Sequence, residues 1–118
     1  MRPVVYTITG GAGTQIVSRV CPVDYYISPA NIALNVVVTG SITYTVQYTF
    51  DDIFAPGYDP TAGTANWTNH PTLVTKTVTA DSNISYPVRG IRLISPASPS
   101  SSGTATLTII QGGGGGLA

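Results

Sequence analysis

The nonapeptide ITYTVQYTF, at Ile42–Phe50, decides the fold. Isoleucine, valine and aromatic side chains occupy every second position, and threonine or glutamine fills the positions between them. Successive side chains of a β-strand point to opposite faces of its sheet. This period of two therefore predicts a strand with one buried and one exposed face.

Segments of the same kind lie on both sides of this strand, at intervals of about ten residues, between clusters of Gly, Pro, Ser and Asn. That spacing is typical of a β-sandwich or barrel. We expect an all-β protein, an antiparallel β-sandwich of jelly-roll type with seven to eight strands, in a single domain over residues 1–111. A flexible Gly-rich C-terminal arm follows at 112–118. The other predicted strands are Val4–Thr9, Gln15–Val20, Ile32–Val38, Leu73–Thr79, Val88–Ile94 and Thr104–Ile110, with a weaker candidate at Val23–Ile27.

The composition agrees with strands rather than helices. Val, Ile and Thr account for 40 of the 118 residues, whereas Leu, Lys, Gln, Arg and Met together account for 14 and Glu is absent. β-Branched side chains are restricted at χ1 and suit a pleated strand. The imbalance therefore argues against a helical domain.

The charge balance excludes several classes of partner. The chain has five basic and five acidic residues and a net charge of zero. Nucleic-acid binding and attraction to an anionic membrane both need a basic face, so we expect neither. Near-zero net charge also leaves little repulsion between copies, which favours a homo-oligomer.

Cysteine and histidine usage limits both disulfides and metal sites. With one Cys and one His, the chain can form neither an internal disulfide framework nor any of the usual zinc sites. We expect Cys21 to be a buried structural thiol and His70 a turn residue rather than a catalytic base, because no nucleophile motif accompanies it. No apolar export signal precedes Val4, so we expect synthesis in the cytoplasm.

Strand parity predicts how two neighbouring segments pair. If Ile32–Val38 and Ile42–Phe50 form a hairpin, their apolar stripes share one sheet face only when the loop has an odd length. The loop Thr39-Gly40-Ser41 satisfies this, with Gly40 at positive φ, although the rule does not apply if the two strands lie in different sheets.

The same argument applies near the C-terminus. We expect Ile91 and Leu93 to lie opposite Ile109 and Leu107 in a pair of strands. An exposed loop at Ser95–Gly103 would join these strands, and it contains two prolines and no large apolar side chain. Both apolar stripes would then face the core.

A long segment, Asp51–Thr72, contains several turn dipeptides and the only tryptophan. Irregular segments of this length are uncommon in compact domains and are generally functional or ordered by a partner. Trp67, with Tyr58 and neighbouring amides, resembles a carbohydrate platform, but a lone Trp in a loop more often anchors that loop on the sandwich.

Asp51, Asp52 and Asp59 could offer oxygen ligands to calcium, yet their spacing matches no calcium loop and suits turn caps better.

Two arginines are candidates for ion pairs or partner contacts. Arg89 and Arg92 lie three positions apart and therefore on opposite faces of a regular strand, which places Arg89 on the side of Ile91 and Leu93. With so few charges, an inward or rim arginine should pair with one of the aspartates, or else anchor a subunit contact.

We expect Gly10–Gly13 to form a hairpin turn rather than a phosphate loop, because a strand follows it instead of a helix.

Four segments, taken in order, resemble small structural proteins of tailed bacteriophages. They are Thr43–Asp52, Trp67–Pro71, Pro87–Leu93 and Gly103–Gly112, and the likeness spans most of residues 4–112. The resemblance implies a virion component such as a head decoration or cement protein. It brings with it no catalytic residues.

We therefore expect a non-enzymatic virion protein at the capsid surface that binds the major capsid protein and copies of itself. It would need no cofactor or metal and would act on no small-molecule substrate. A tail- or connector-associated position is one alternative, and a carbohydrate- or receptor-binding module is another. The candidate partner-binding residues are Tyr58, Trp67, Asn69, His70, Arg89 and Arg92.

Overall fold

A computed structural model describes residues 3–10, 13, 15–23, 31–60, 63, 65–96 and 102–112. The described residues form strands and connecting loops without a helix, so they include no helix able to cross a membrane. The predicted all-β, antiparallel architecture is confirmed. The described strands are β1 (Val4–Thr9), β2 (Ile16–Val17), β3 (Cys21–Pro22), β4 (Asn31–Thr39), β5 (Thr45–Thr49), β6 (Thr68–Asn69), β7 (Ala80–Ile84), β8 (Gly90–Ser95) and β9 (Thr104–Gly112).

The strands form two sheets. The first sheet has the order β1-β9-β4-β7, and the second has the order β2-β8-β5-β6, with β3 also paired to β8. All the strand pairs are antiparallel. Each sheet therefore combines strands that are distant in the sequence.

The core lies between the inner faces of the sheets. In β4 the side chains of Ile32, Leu34 and Val36 are buried, whereas the residues between them are exposed. Burying an aliphatic side chain of this size contributes about 1.5–3 kcal/mol. The two-residue alternation that predicted the strands thus supplies most of the driving force for packing them.

The predicted hairpin between Ile32–Val38 and Ile42–Phe50 is wrong, because β4 belongs to the first sheet and β5 to the second. The chain passes from one sheet to the other at Thr39-Gly40-Ser41. Gly40 does have the predicted positive φ, 78°. A Cβ atom at Gly40 would lie 2.9 Å from the Cα of Gly103, so close packing also requires a glycine in this turn.

The predicted pairing of Ile91 and Leu93 with Ile109 and Leu107 is also wrong. Ile91 and Leu93 lie in β8 of the second sheet, whereas Leu107 and Ile109 lie in β9 of the first. All four are fully buried, so both stripes do face the core, each from its own sheet. Strand parity identified the buried face but not the partner strand.

The predicted strand at Leu73–Thr79 is not a strand. Thr75 has a positive φ of 51°, which interrupts extended pairing, and only an isolated bridge joins Lys76 to Tyr44. The strand β7 forms afterwards, at the polar stretch Ala80–Ile84, which pairs with β4. Pairing with an apolar neighbour decides this strand, despite its weak sequence pattern.

The predicted strand Gln15–Val20 is shortened to Ile16–Val17. The backbone N–H of Leu93 donates a hydrogen bond to the hydroxyl of Ser18 at 2.8 Å, instead of to a backbone carbonyl. The ladder resumes at β3. Several predicted features lie wholly or partly outside the described residues: 24–27 of the weaker strand, 97–101 of the proline-containing loop, 11 and 12 of the glycine turn, and 113–118 of the C-terminal arm.

Candidate functional site

The long loop after β5 covers the outer face of the second sheet. Thr49 points outward from β5 but is 1% exposed, because its hydroxyl donates to the carbonyl of Asn66 at 2.7 Å. At Gly90 in β8, an added Cβ would lie 2.8 Å from Val20, which precedes β3, and 3.4 Å from Ile53 of the loop, so glycine allows both segments to approach the sheet. Apart from the short strand β6, the segment Asp51–Thr72 is irregular where it is described, as predicted.

Arg92 lies at the centre of this covered face. Its residue surface is 8% exposed, its Nε donates to the side-chain oxygen of Gln47 at 2.8 Å, and its Nη1 donates to the carbonyl of Pro60 at 3.1 Å. Burial lowers the pKa of Arg92, and Tyr58 opposes that shift. A guanidinium remains charged in proteins, so the covered face contains a buried positive charge.

Trp67 stacks on this guanidinium. The central carbon of Arg92 lies 4.1 Å from the indole centroid, and the indole N–H donates to the carbonyl of Pro60 at 3.0 Å. A cation over an indole contributes about 0.5–2 kcal/mol. Trp67 and Arg92 therefore bind the same carbonyl and anchor the loop on the sheet, in agreement with the anchoring interpretation of Trp67.

Asn69 joins the same cluster from β6. Its side-chain oxygen accepts a 2.8 Å hydrogen bond from Nε2 of Gln47, the residue that also accepts from Arg92. Gln47 and Asn69 pair across β5 and β6, and Gln47 pairs with Arg92 across β5 and β8. The three polar side chains thus form one row across the second sheet.

The parity prediction for the two arginines needs correction. Arg89 precedes β8 and does not share the face of Ile91 and Leu93. Its side chain is 39% exposed and pairs with Asp52 at 3.9 Å, so the expected aspartate partner is confirmed for this arginine. Arg92 lies opposite Ile91 and Leu93 as predicted, but the loop buries it.

His70 lies outside the cluster and is 3% exposed. Its Nδ1 accepts hydrogen bonds from the backbone N–H groups of Thr72 at 3.1 Å and Leu73 at 3.2 Å. The ring proton therefore lies on Nε2, which donates to the carbonyl of Asn83 at 2.9 Å. This histidine organises the turn between β6 and β7, as expected for a turn residue.

The aspartates cap turns in the loop. Asp51 accepts from the backbone N–H of Asn66 at 2.8 Å and from the hydroxyl of Tyr58 at 3.4 Å, and Asp52 accepts from the backbone N–H of Phe54 at 3.1 Å. Within the described ranges, no three His, Cys, Asp or Glu side chains form a group that could hold a metal ion. Tyr58 is therefore part of the turn that Asp51 caps.

Cys21 is fully buried, and burial raises its pKa to about 11. A thiol of this kind is a poor nucleophile, because reactivity depends on the thiolate. The predicted buried structural thiol is confirmed.

A pocket of about 330 Å³ opens beside Arg92 and Trp67. Sequence reasoning identified these two residues but missed the others, since glycine, alanine and proline in a loop carry no pattern that predicts a pocket. The remaining lining residues are Gln15, Val17, Pro60, Gly63 and Ala65.

The outer face of the first sheet is open and differs strongly from the covered face. No charged side chain occurs at the outward positions of β1, β9 and β4. On the edge strand β7, Asp81 pairs with the outward Asn35 and adds one exposed carboxylate beside this surface. Threonine hydroxyls bond across strands, as between Thr7 and Thr106 at 3.1 Å. We call this surface the uncharged face; it consists of Val5, Thr7, Thr9, Thr104, Thr106, Thr108, Ile110, Asn31, Ala33, Asn35, Val37 and Thr39.

The two sheets also meet along a groove of about 520 Å³. Val5–Thr9 line one side and Ile16–Arg19 the other, and the hydroxyl of Tyr6 reaches the carbonyl of Val20 at 3.4 Å. In the described chain β1 has a strand neighbour on one side only, so this groove follows a sheet edge.

Comparison with known proteins matches this chain to no family model and to no curated protein. The geometry of the two outer faces and the motifs of the sequence are therefore the basis for assigning a function.

Proposed function

We propose that this protein is a non-enzymatic structural protein of a tailed-phage virion. It decorates the capsid surface and stabilises the lattice of the major capsid protein. The observation that carries the proposal is the uncharged face, which is broad, open and contains three exposed apolar side chains. Its apolar members are Val5, Val37 and Ile110, which are 57%, 47% and 45% exposed.

The uncharged face has the chemistry of a protein contact surface. The centres of protein interfaces are depleted in charged residues, because desolvating a charge is costly. Antiparallel sheets commonly leave one face in water, and such a face usually carries polar and charged side chains. A surface of three adjacent strands without a charge is better suited to docking on another protein.

The strand order supports a jelly roll. If β2 and β3 are one strand interrupted after Val17, the nine strands become eight, four in each sheet. Eight strands in two sheets describe the jelly roll found in viral capsid and lectin domains. This likeness of architecture supports a virion protein, and the functional assignment rests on the uncharged face.

The mechanism needs no chemistry. A protein that binds the assembled lattice but not its dissociated subunits stabilises the lattice by mass action. Many weak contacts along a symmetric shell add together, and zero net charge allows copies to lie close to one another as a homo-oligomer. A position at the tail or connector uses the same contacts but at few copies per particle.

Quantitative mass spectrometry of purified virions tests the position. We expect on the order of hundreds of copies per particle for a decoration protein, and about a dozen or fewer for a tail or connector protein, following the closed symmetries of such assemblies. Absence from purified virions would overturn both assignments.

A pair of matched variants tests the face. Val37→Lys places a charge on the uncharged face, whereas Val78→Lys places one at a valine that is 60% exposed elsewhere. When each protein is added to particles that lack it, Val37→Lys should no longer co-sediment, and Val78→Lys should bind as the parent does. Equal binding of both variants would contradict the proposed contact surface.

A further inference from the structure

The guanidinium of Arg92 has unused hydrogen-bonding capacity. A guanidinium has five N–H donors. Two of those in Arg92 bond to Gln47 and Pro60, and among the described residues the structure shows no acceptor for the others. The one ion pair in the described part of the chain joins Arg89 to Asp52, so no described carboxylate pairs with Arg92.

A buried cation without an anion is an uncommon arrangement. Removing a charge from water costs several kcal/mol unless an opposite charge or a full set of hydrogen bonds compensates. The two neutral oxygens and the indole of Trp67 compensate only in part. A carboxylate is the natural complement, since its two oxygens match the fork of N–H groups.

The pocket beside Arg92 can admit such a group. Its volume of about 330 Å³ lies at the lower end of the range for ligand sites, and is suited to a single ring rather than to an extended peptide. Trp67 offers an aromatic surface and Gln15 a neutral amide. Gly63 and Ala65 line the pocket with little side-chain bulk, so a ring can approach the loop.

We propose that this pocket binds a carboxylate-bearing sugar, a uronic-acid unit of a glycan. The carboxylate accepts hydrogen bonds from Arg92, the sugar ring packs beside Trp67, and a hydroxyl bonds to the amide of Gln15. An aromatic ring with amide groups is the combination that neutral sugar rings need, and Arg92 adds selectivity for the acid. This inference does not depend on binding to a capsid lattice.

Fluorescence provides a direct test, because Trp67 is the only tryptophan of the full chain. Titration with D-glucuronate should change the emission saturably, whereas D-glucose, which has no carboxylate, should bind at least about tenfold more weakly. N-acetylglutamate, which has two carboxylates and no sugar ring, should also bind about tenfold more weakly. Equal responses to glucose, equal affinity for N-acetylglutamate, or no response to glucuronate would each overturn the proposal.

Three variants locate the site. Arg92→Lys should weaken glucuronate binding about tenfold or more, because an ammonium cannot reproduce the bidentate geometry. Gln15→Ala, at an exposed position, should weaken it severalfold without affecting the fold. Lys76→Gln removes a positive charge away from the pocket, whereas Arg92→Lys keeps the charge within it. Lys76→Gln should leave the affinity unchanged.

Using two site variants, Arg92→Lys and Gln15→Ala, also controls for misfolding. The melting temperature of each variant shows whether it remains folded, and the Gln15→Ala result stands even if Arg92→Lys unfolds the protein. Unchanged affinity in Gln15→Ala together with unchanged affinity in a folded Arg92→Lys would overturn the assignment of this pocket. A loss of affinity in Lys76→Gln equal to that in Arg92→Lys would show that the loss does not depend on this pocket and would also overturn the assignment.

Discussion

The outward positions of the two sheets share one alternating sequence pattern, but the two outer faces differ in exposure and charge. The first sheet leaves its outward threonines and valines open. The second sheet buries Thr49 and Arg92 under the loop that follows β5, and Thr45 under the segment after β6, where the backbone N–H of Thr75 donates to its hydroxyl. The difference teaches that alternation determines which side chains point away from the core, whereas a covering loop determines whether those side chains meet water.

The two outer faces also differ in charge. The uncharged face has none, Asp81 lies beside it on the edge strand β7, and some of its threonine hydroxyls pair with one another, as Thr39 does with Thr104. The covered face retains a cation, which bonds to loop and strand oxygens and stacks on Trp67. We therefore propose protein docking for the uncharged face and ligand recognition for the covered face.

Truncation of Trp67 should most clearly separate the two faces. Trp67→Ala removes the ring over Arg92 and a donor to Pro60, and should lower the free energy of unfolding by about 3 kcal/mol. Val37→Ala, on the uncharged face, should lower it by less than about 0.5 kcal/mol. Urea denaturation measures both, and similar losses would mean that the loop does not stabilise the fold.

Titration of Cys21 tests the edge of the second sheet, where β3 pairs with β8. Its folded pKa of about 11 lies above the ordinary value of 9.0, so above pH 9 the unfolded chain binds fewer protons than the folded protein. Stability that is complete below about pH 9 should therefore fall by up to roughly 2.5 kcal/mol as the pH approaches 11. Comparison with Cys21→Val isolates this effect from the tyrosines, and parallel pH profiles for the two proteins would contradict it.

Replacement of His70 tests the other end of the covering loop. His70→Ala leaves the backbone N–H groups of Thr72 and Leu73 without their acceptor and should cost about 2 kcal/mol. Asn69→Ala, at the exposed neighbouring position, should cost less than about 0.5 kcal/mol. Chemical denaturation distinguishes the two, and an unaffected His70→Ala would show that water replaces the imidazole.

The smallest effect is expected on the open face. Thr106→Val removes the hydroxyl that pairs with Thr7 but keeps the β-branched shape, so stability should change by less than about 0.5 kcal/mol. A loss above about 1 kcal/mol, the net value of a typical intramolecular hydrogen bond, would indicate that the threonine pairs stabilise the sheet itself.

Part of the site was accessible from the sequence. Trp67 stood out as the only tryptophan in a long loop, and Arg92 as one of few charges. Gln47 and Gln15 did not stand out, because a glutamine in or before a strand carries no signal for the arginine or pocket it meets. The acceptor at Pro60 is a backbone carbonyl, which every residue possesses, so no pattern could identify it.

The sequence by itself determined the elements whose cause is local. β1 lies at Val4–Thr9 as predicted, and β4 and β9 differ from their predicted bounds only at the ends, since β-branched alternation acts within each segment. It also determined the buried faces of β8 and β9. Only the tertiary structure decided that β4 and β5 belong to different sheets and that Arg92 rather than Arg89 is buried. Those outcomes depend on contacts between residues far apart in the chain, where long-range packing and loop closure compete with local preference.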